Sequence, residues 1–315
     1  MRVGSLREPA FVERTPVWLD GHQTGRLMVI LRASGCGWAR RPGGGCTNCG
    51  FHRLTTGGVP VSVEDLLAQF EAAVAGSSLD GVGELDLYNS GSFFADAEIP
   101  PAAREAMLAR LSGTKVRRVL VESRPEFVKA EPLAAARRAL GTFAELEVGI
   151  GLESADDRVR DQLVNKGFGK PEFERAVAVL GEVGARLLVY VLVKPLGLSE
   201  REAIEDATST ARYVFDAARR CGVKGARIAL QPVFVAPDTA LEAEFLAGRY
   251  QPPSLWSVTE IVRRSHPLGE LVIGLSDEGL EPKRVPGGCP ACTDELRKAL
   301  AEYNRVRDLS AVDAV

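Results

Sequence analysis

The stretch Leu27-Met-Val-Ile-Leu-Arg-Ala-Ser-Gly-Cys36-Gly-Trp-Ala-Arg-Arg-Pro-Gly-Gly-Gly-Cys46-Thr-Asn-Cys49-Gly50 decides how the chain is read. Its first six residues form an apolar, strand-like run. A glycine-rich loop follows, with cysteines spaced C-x9-C-x2-C. A segment this rich in glycine makes no element of its own and can wrap a compact inorganic group. Three thiolates suit an iron–sulfur cube with one iron left open, because such a cube normally takes four ligands. The open iron can then chelate a small molecule. Zinc is a second use of the same residues. It requires four ligands in a closed tetrahedron, which Cys289 and Cys292, a C-P-A-C pair near the end of the chain, could complete. A disulfide framework fits least, since six cysteines in 315 residues are too sparse for a stapled domain.

Outward from this loop, apolar runs alternate with amphipathic stretches. The runs are Leu27–Leu31, Leu85–Tyr88, Val116–Val121, Leu146–Leu152, Leu187–Val193 and Ile228–Phe234. The helical candidates are Val63–Ala75, Ala102–Ser112, Pro125–Leu140, Pro171–Val183 and Glu200–Ala218. This order predicts an α/β fold with a parallel sheet under crossover helices, and six strands predict a partial (β/α)6 TIM barrel. Residues 1–26 read as an N-terminal lead-in, 27–240 as the barrel, and 241–315 as a small C-terminal extension. That extension holds a helix around Trp256–Arg264, a short strand at Leu271–Leu275 and a helix near Thr293–Arg307, and could cap the barrel mouth. With 45% hydrophobic residues the chain can bury a large core, and a net charge of −3 gives no global basic field for nucleic acid. No run reaches the length of a membrane span. Met1–Arg7 lacks a signal peptide's apolar core, so the cysteines point to a reducing cytoplasm.

In a barrel of this kind, chemistry collects where strands end, at the C-terminal edge of the sheet. The second run leads into Asn89-Ser90-Gly91-Ser92, an ordinary turn that also exposes backbone groups able to hold an amine and a carboxylate. The third ends in Glu122-Ser-Arg124-Pro125, either a local ion pair beside a helix-starting proline or a holder for a zwitterion. The fourth ends in Gly149-Ile-Gly-Leu-Glu153-Ser154, where Glu153 could accept ribose hydroxyls. The fifth ends in Lys194-Pro195, where a lysine emerging from an apolar run needs a carboxylate to meet, and the sixth reaches Gln231-Pro232. Each is weak alone; together with the cysteine loop on the first strand they form a ring.

These residues resemble the radical S-adenosylmethionine superfamily, in the branch that contains the Elongator catalytic subunit. The resemblance rests on the wide cysteine spacing, on Glu122-Ser-Arg-Pro-Glu126 and on Gly151-Leu-Glu-Ser154. Gly35–Gly50, Asn89-Ser-Gly-Ser-Phe93 and Leu192-Val-Lys-Pro195 look closer still to the radical enzyme of archaeosine biosynthesis and its relatives. The similarity covers roughly residues 25–240. It implies that Cys36, Cys46 and Cys49 ligate a [4Fe–4S] cluster whose fourth iron takes the amine and carboxylate of S-adenosylmethionine. Ser90, Gly91 and Ser92 would lie near the methionine amine, Glu122 and Arg124 near the methionine moiety, and Glu153 with Ser154 near the ribose. Lys194 would reach a carboxylate of cofactor or substrate, with Gln231 at the sixth strand end.

The implied activity is reductive cleavage of S-adenosylmethionine to a 5′-deoxyadenosyl radical. That radical would act on a modified 7-deazaguanine by archaeosine-type C–N cleavage, in tRNA or a nucleoside, as a lyase or transferase. A flavodoxin- or ferredoxin-type protein would donate electrons, and a separate transferase partner would bring the tRNA. Two departures stand out. Asn48 occupies the place of an aromatic that stacks on adenine in many members, leaving Phe51 to substitute, and the acetyltransferase and RNA-binding parts of Elongator and methylthiotransferase enzymes are missing. A tailoring enzyme of small-molecule biosynthesis would show the same cluster motif, and a zinc-stapled binding module is the non-enzyme alternative. The Cys289–Cys292 pair could hold part of a second cluster, share a zinc or act as a dithiol, and His52 reads mainly as structural.

Overall fold

The computed structural model describes residues 5–315. Its elements run β1 (Phe11–Leu19), β2 (His22–Ile30), α1 (Val63–Ser77), β3 (Val82–Tyr88), α2 (Pro101–Leu111), β4 (Arg118–Glu122) and α3 (Ala130–Leu140). They continue with β5 (Glu145–Glu153), α4 (Lys170–Val183), β6 (Arg186–Val193), α5 (Glu200–Arg220), β7 (Ala226–Pro232) and α6 (Ala240–Leu246). The chain closes with α7 (Leu255–Ser265), β8 (Glu270–Ile273), α8 (Thr293–Val306) and α9 (Ser310–Asp313). One eight-stranded sheet takes the strands in chain order. β2 through β8 are parallel, and β1 pairs antiparallel with β2. This is the expected partial barrel, with its six expected strands all present, the short strand expected at Leu271–Leu275 joining the same sheet as β8, and β1 added at the other edge.

The extra strands correct the count. β1 lies inside the segment read as a lead-in, because Glu13, Arg14 and Pro16 disguise a strand at the sheet's edge, where proline is tolerated. Asp20 and Gly21, with φ of 51° and 82°, turn it into β2, and an Asp-Gly pair is the usual chemistry for that two-residue hairpin. β8 lies inside the segment read as an extension. Its free edge is closed by Asn304 on α8, whose amide accepts from Ile273 N at 2.9 Å and donates to Ile273 O at 2.7 Å. An unpaired strand edge is costly to leave open, and α8 packs over both β1 and β8.

The sheet has two unlike faces. Toward the helices, Leu27, Val29, Leu85, Leu87, Val119, Val121, Val148, Ile150, Val189 and Ile228 join one apolar core with Phe70, Met107 and Phe173. The opposite face carries Arg26, Glu84, Asp86, Arg118, Glu147 and Arg227, so the strands are not continuously apolar, as the runs had suggested. Glu84, Arg118, Glu147 and Arg227 are at most 3% exposed. Arg227 meets Glu147 at 2.5 Å and Glu84 at 3.1 Å, Glu84 also meets Arg118 at 3.2 Å, and Arg26 meets Asp86 at 2.5 Å. Burial alone would raise the Glu84 carboxyl, but Arg227, Arg118 and Arg26 outweigh it and hold the carboxyl well below its ordinary range. Above this ionic layer, Met28, Ile30, Tyr88, Leu120, Leu188 and Ala229 form a small apolar plug.

Removing one partner of a buried ion pair strands the other charge without water, typically at a cost of about 3–5 kcal/mol. Arg227→Met removes the cation shared by Glu84 and Glu147, and urea denaturation is expected to show a loss of about that size. A loss under about 1 kcal/mol would mean that the layer is not a structural element.

Candidate active site

A cavity of about 230 Å³ opens at the C-terminal end of the sheet. Cys36, Cys46 and Cys49 all line it, from the loop that follows β2. That loop is tied down on two sides. On one, Cys36 N donates to Ser90 O at 3.1 Å, and the carboxylate of Glu98, 3% exposed, accepts from Gly37 N at 2.9 Å and Ser92 N at 2.5 Å. A side chain at Gly91 would put its Cβ 2.1 Å from the Glu98 carboxylate and 3.1 Å from Cys36 N, so only glycine allows this approach. On the other side, a π-helical turn at Arg158–Leu163 leads into residues 164–168, which fold over the loop. Asn165 donates to Gly43 O and Gly45 O at 3.0 and 2.8 Å, Trp38 Nε1 donates to Asn165 O at 2.9 Å, and Thr47 N donates to Val164 O at 3.0 Å. Arg124 donates to Lys166 O and Gly167 O at 2.9 and 3.2 Å and lies over the Trp38 and Phe168 rings.

The strand-end residues divide. Ser90, Gly91, Glu122, Arg124, Glu153, Phe51 and Gln231 line the cavity with the cysteines. The hydroxyl of Ser90 is buried and without a hydrogen-bond partner, an orphan that points to a polar ligand. Asn48 Oδ1, in the same wall, is unpartnered too. Ser92 is behind the wall; its hydroxyl accepts from Arg124 N at 3.1 Å. Ser154 turns outward to α5, donating to Asp206 at 2.5 Å. Lys194 is also outside the cavity, paired with Glu200 at 2.6 Å, while Glu200 accepts from Ser257 Oγ at 2.5 Å. A carboxylate does meet Lys194, and it belongs to α5. His52 is exposed, with Nδ1 3.3 Å from Cys49 O. Ser90, Glu153 and Lys194, each just past or at a strand end, hold left-handed φ values of 54°, 68° and 60°. Such strain costs on the order of 1 kcal/mol or more per residue and concentrates at functional sites.

Several lining residues were not singled out in the sequence. Lys166 pairs with Glu153 at 2.7 Å. Burial would lower the Lys166 ammonium, but the nearby Glu153 and Cys46 raise it above its usual range. Its only sequence signal is a lone lysine beside Gly167. Glu278 enters from the segment after β8, together with Ser276 and Leu280. Tyr88 and Tyr190 share a hydrogen bond at 3.2 Å, and Tyr88 donates to Asp86 at 3.0 Å, continuing the polar face of the strands up to the cavity floor. Burial, with Glu278 nearby, pushes Glu122 up to about 8, and burial pushes Glu278 up to about 7.

Burial also pushes Cys49 up to about 12 and raises Cys46. Thiols held protonated in this way are poor nucleophiles. Metal binding, which displaces thiol protons, remains open to them. Among the described residues no three His, Cys, Asp or Glu side chains converge as a single ion requires. Three thiols lining one cavity, with an orphan hydroxyl and a carboxylate–ammonium pair in the same lining, fit a larger cluster and a polar ligand beside it.

No family model matches the chain. The archaeosine synthase subunit beta of Methanosarcina acetivorans is 35% identical over 302 residues, covering 94% of this chain and 84% of that protein. The protein of the same description from Thermococcus kodakarensis is 28% identical over 305 residues, covering 91% and 87%. Among solved structures, the archaeal Elp3 of Methanocaldococcus infernus with an N-terminal deletion superposes with a TM-score of 0.51 at 15% identity, over 76% of this chain and 58% of that one. At that identity the likeness is one of fold.

The acidic floor makes stability depend on pH. Glu122 holds its proton up to about 8, against an ordinary 4.5, so the folded chain binds a proton that the unfolded chain has already released. Its contribution is fully present below the lower value and is lost as pH rises through the upper one. Glu122→Gln is therefore expected to be more stable than the native chain at about pH 9, an advantage that disappears near about pH 5 in urea denaturation. Parallel pH profiles for the two proteins would show that Glu122 titrates normally.

Proposed function

The chain belongs to the archaeosine synthase subunit beta family of radical S-adenosylmethionine enzymes, and from that premise we propose that Cys36, Cys46 and Cys49 hold a [4Fe–4S] cluster beside an S-adenosylmethionine site. The observation that carries this reading is the arrival of all three cysteines in one cavity, together with the unpartnered Ser90 hydroxyl and the Glu153–Lys166 pair. When bound, the cluster supplies the electron that cleaves S-adenosylmethionine to a 5′-deoxyadenosyl radical, which abstracts a hydrogen atom from substrate.

This chain's residues would bind and orient the cofactor. The turn Ser90-Gly91 presents its hydroxyl and bare backbone to the methionine amine and carboxylate, with Glu122 and Arg124 flanking them. Glu153, held at its strand end by Lys166, takes the ribose hydroxyls. Phe51 offers the apolar face for adenine. Gln231, Tyr190 and Glu278 line the floor where substrate meets the cofactor, and the loop clamped by Glu98 and Asn165 shields the wall from water. Ser92, Ser154 and Lys194 act from behind: Ser92 fixes Arg124, and Lys194 fixes α5 to the end of β6.

The substrate is a modified 7-deazaguanine in tRNA or a nucleoside, and the reaction is C–N cleavage of the archaeosine type. Support comes from the name shared by two relatives and from the Gly35–Gly50 and Asn89–Phe93 segments. With a net charge of −3 the chain offers no basic field for tRNA, which fits a transferase subunit delivering the nucleic acid. A flavodoxin- or ferredoxin-type protein supplies electrons in the cytoplasm. Among the described residues no helix is long and apolar enough to cross a membrane.

Anaerobic reconstitution with iron and sulfide tests the first level. A brown protein with about four irons per chain is expected, yielding 5′-deoxyadenosine with S-adenosylmethionine and dithionite. Cys36→Ala, Cys46→Ala and Cys49→Ala should each lose both the colour and the product, whereas a colourless zinc protein would end the reading. Modified tRNA supplied with its transferase then tests the substrate. At the cofactor site, Glu153→Gln should retain the iron but need about tenfold more S-adenosylmethionine for half-maximal binding, the scale of one charged hydrogen bond. An unchanged affinity would remove Glu153 from the site.

A further inference from the structure

The proposed reaction makes no use of the Cys289-Pro-Ala-Cys292 turn. The arm that carries it is well anchored: Val235 N donates to Arg284 O at 2.8 Å, Leu255 N donates to Gly287 O at 2.7 Å, and Arg297 donates to Pro286 O at 3.3 Å. Cys292 immediately precedes α8, a helix of 14 residues. The carbonyl of Cys289 accepts from Cys292 N and Thr293 N, both at 3.1 Å, and from Thr293 Oγ1 at 2.8 Å. Those bonds close the four residues into one turn with both thiols on it.

The two thiols differ. Cys289 is exposed, and Cys292 is partly buried against the main core. The neighbouring Cys292 side chain and the Ala291 and Cys292 backbone lower the Cys289 thiol below its usual range. The same contact with Cys289 raises Cys292. An accessible thiol that ionises readily, next to a sheltered one that does not, is the division between attacking and resolving cysteines. The other use of a C-x2-C pair is metal binding, which needs more ligands. Among the described residues no His, Cys, Asp or Glu joins the pair to make a third, and Cys221 sits apart, at the C-terminal end of α5.

We propose that Cys289 and Cys292 form a redox dithiol, interconverting with an intramolecular disulfide by exchange with a disulfide-bearing molecule. In the oxidising direction the Cys289 thiolate attacks one sulfur of R–S–S–R, forming a mixed disulfide and expelling R–S⁻. Cys292 gives its proton to solvent and attacks Cys289 Sγ, breaking the mixed disulfide and expelling a second R–S⁻. The protein gives up two electrons and two protons, and the co-reactant becomes two R–SH. This site does not depend on the cluster reading.

The full chain, kept anaerobic, would be equilibrated across ratios of reduced to oxidised glutathione, quenched in acid, alkylated and digested with trypsin. The peptide Val285–Arg297 contains both of these cysteines and no other. It should pass in a single transition from doubly alkylated to unalkylated and two hydrogens lighter. Cys292→Ser should stall with glutathione on Cys289, at least about tenfold more than Cys289→Ser carries on Cys292. A peptide that stays doubly alkylated in oxidised glutathione alone would overturn the proposal. So would equal glutathione uptake by the two variants, or stoichiometric zinc in the purified protein that is lost in Cys289→Ser.

Discussion

Arg227 sits at the centre of the barrel's ionic layer, shared between Glu147 at 2.5 Å and Glu84 at 3.1 Å. A curled parallel sheet must fill its concave side, and side chains alone fill small barrels completely. Here the lower half is filled by charges that satisfy one another, and the apolar plug of Met28, Ile30, Leu120, Leu188 and Ala229 lies above them. The cavity lined by the cysteine loop and the strand exits therefore lies above this filling, at the C-terminal end. Buried ion pairs contribute little net stability against an apolar filling. Their consequence is geometric: they fix strand register through partners on neighbouring strands, and with it the ring of strand ends.

The loop that carries the cysteines has no secondary structure of its own, so its shape comes from outside. Glu98 binds it to the exit of β3, Asn165 binds it to the segment after β5, and Arg124 fastens that segment to the exit of β4. Three successive parallel strands thus contribute to holding one loop. The left-handed residues Ser90 and Glu153 are where the chain bends to make this possible. A loop fastened this way is preorganised for a ligand it must hold in one orientation, which lowers the entropy lost on binding.

Much of this was legible in the sequence, and the failures have physical causes. Parallel strands under helices read as apolar runs because their outer faces are apolar, so the strand at Leu146–Leu152 was visible. Yet Glu84 and Asp86, or Glu145 and Glu147, alternate with leucine at period two, a sign of a polar inner face that the apolar runs obscured. β1 was missed because an edge strand tolerates proline and charge, although Asp20-Gly21 marks its hairpin. At the site, the strand-end rule found Ser90, Glu122, Arg124, Glu153 and Gln231. It also drew in Ser154 and Lys194, because position in sequence does not say which way a side chain leaves the strand. Lys166, Glu98 and Glu278 come from loops whose path depends on the whole fold, and no local spacing marks them.

The electrostatics of the cavity are polarised along its depth. Lys166 and Arg124 stand on the side of the cysteine loop, and Glu122 and Glu278 stand toward the floor with the two tyrosines. As ligands of the proposed cluster the thiolates would bring negative charge to the loop side, where the nearby Lys166 partly offsets the burial that raises Cys46. Cations beside a cluster stabilise its reduced, more negative state. The carboxyls at the floor are pushed up by burial and, at Glu122, by the neighbouring Glu278. With both groups titrating near neutrality, the floor can lose a proton when a cationic group arrives and keep it otherwise, so its charge follows what is bound. The loop side is fixed in charge and the floor is adjustable, which suits the proposed arrangement of a cofactor held at the loop and a substrate at the floor.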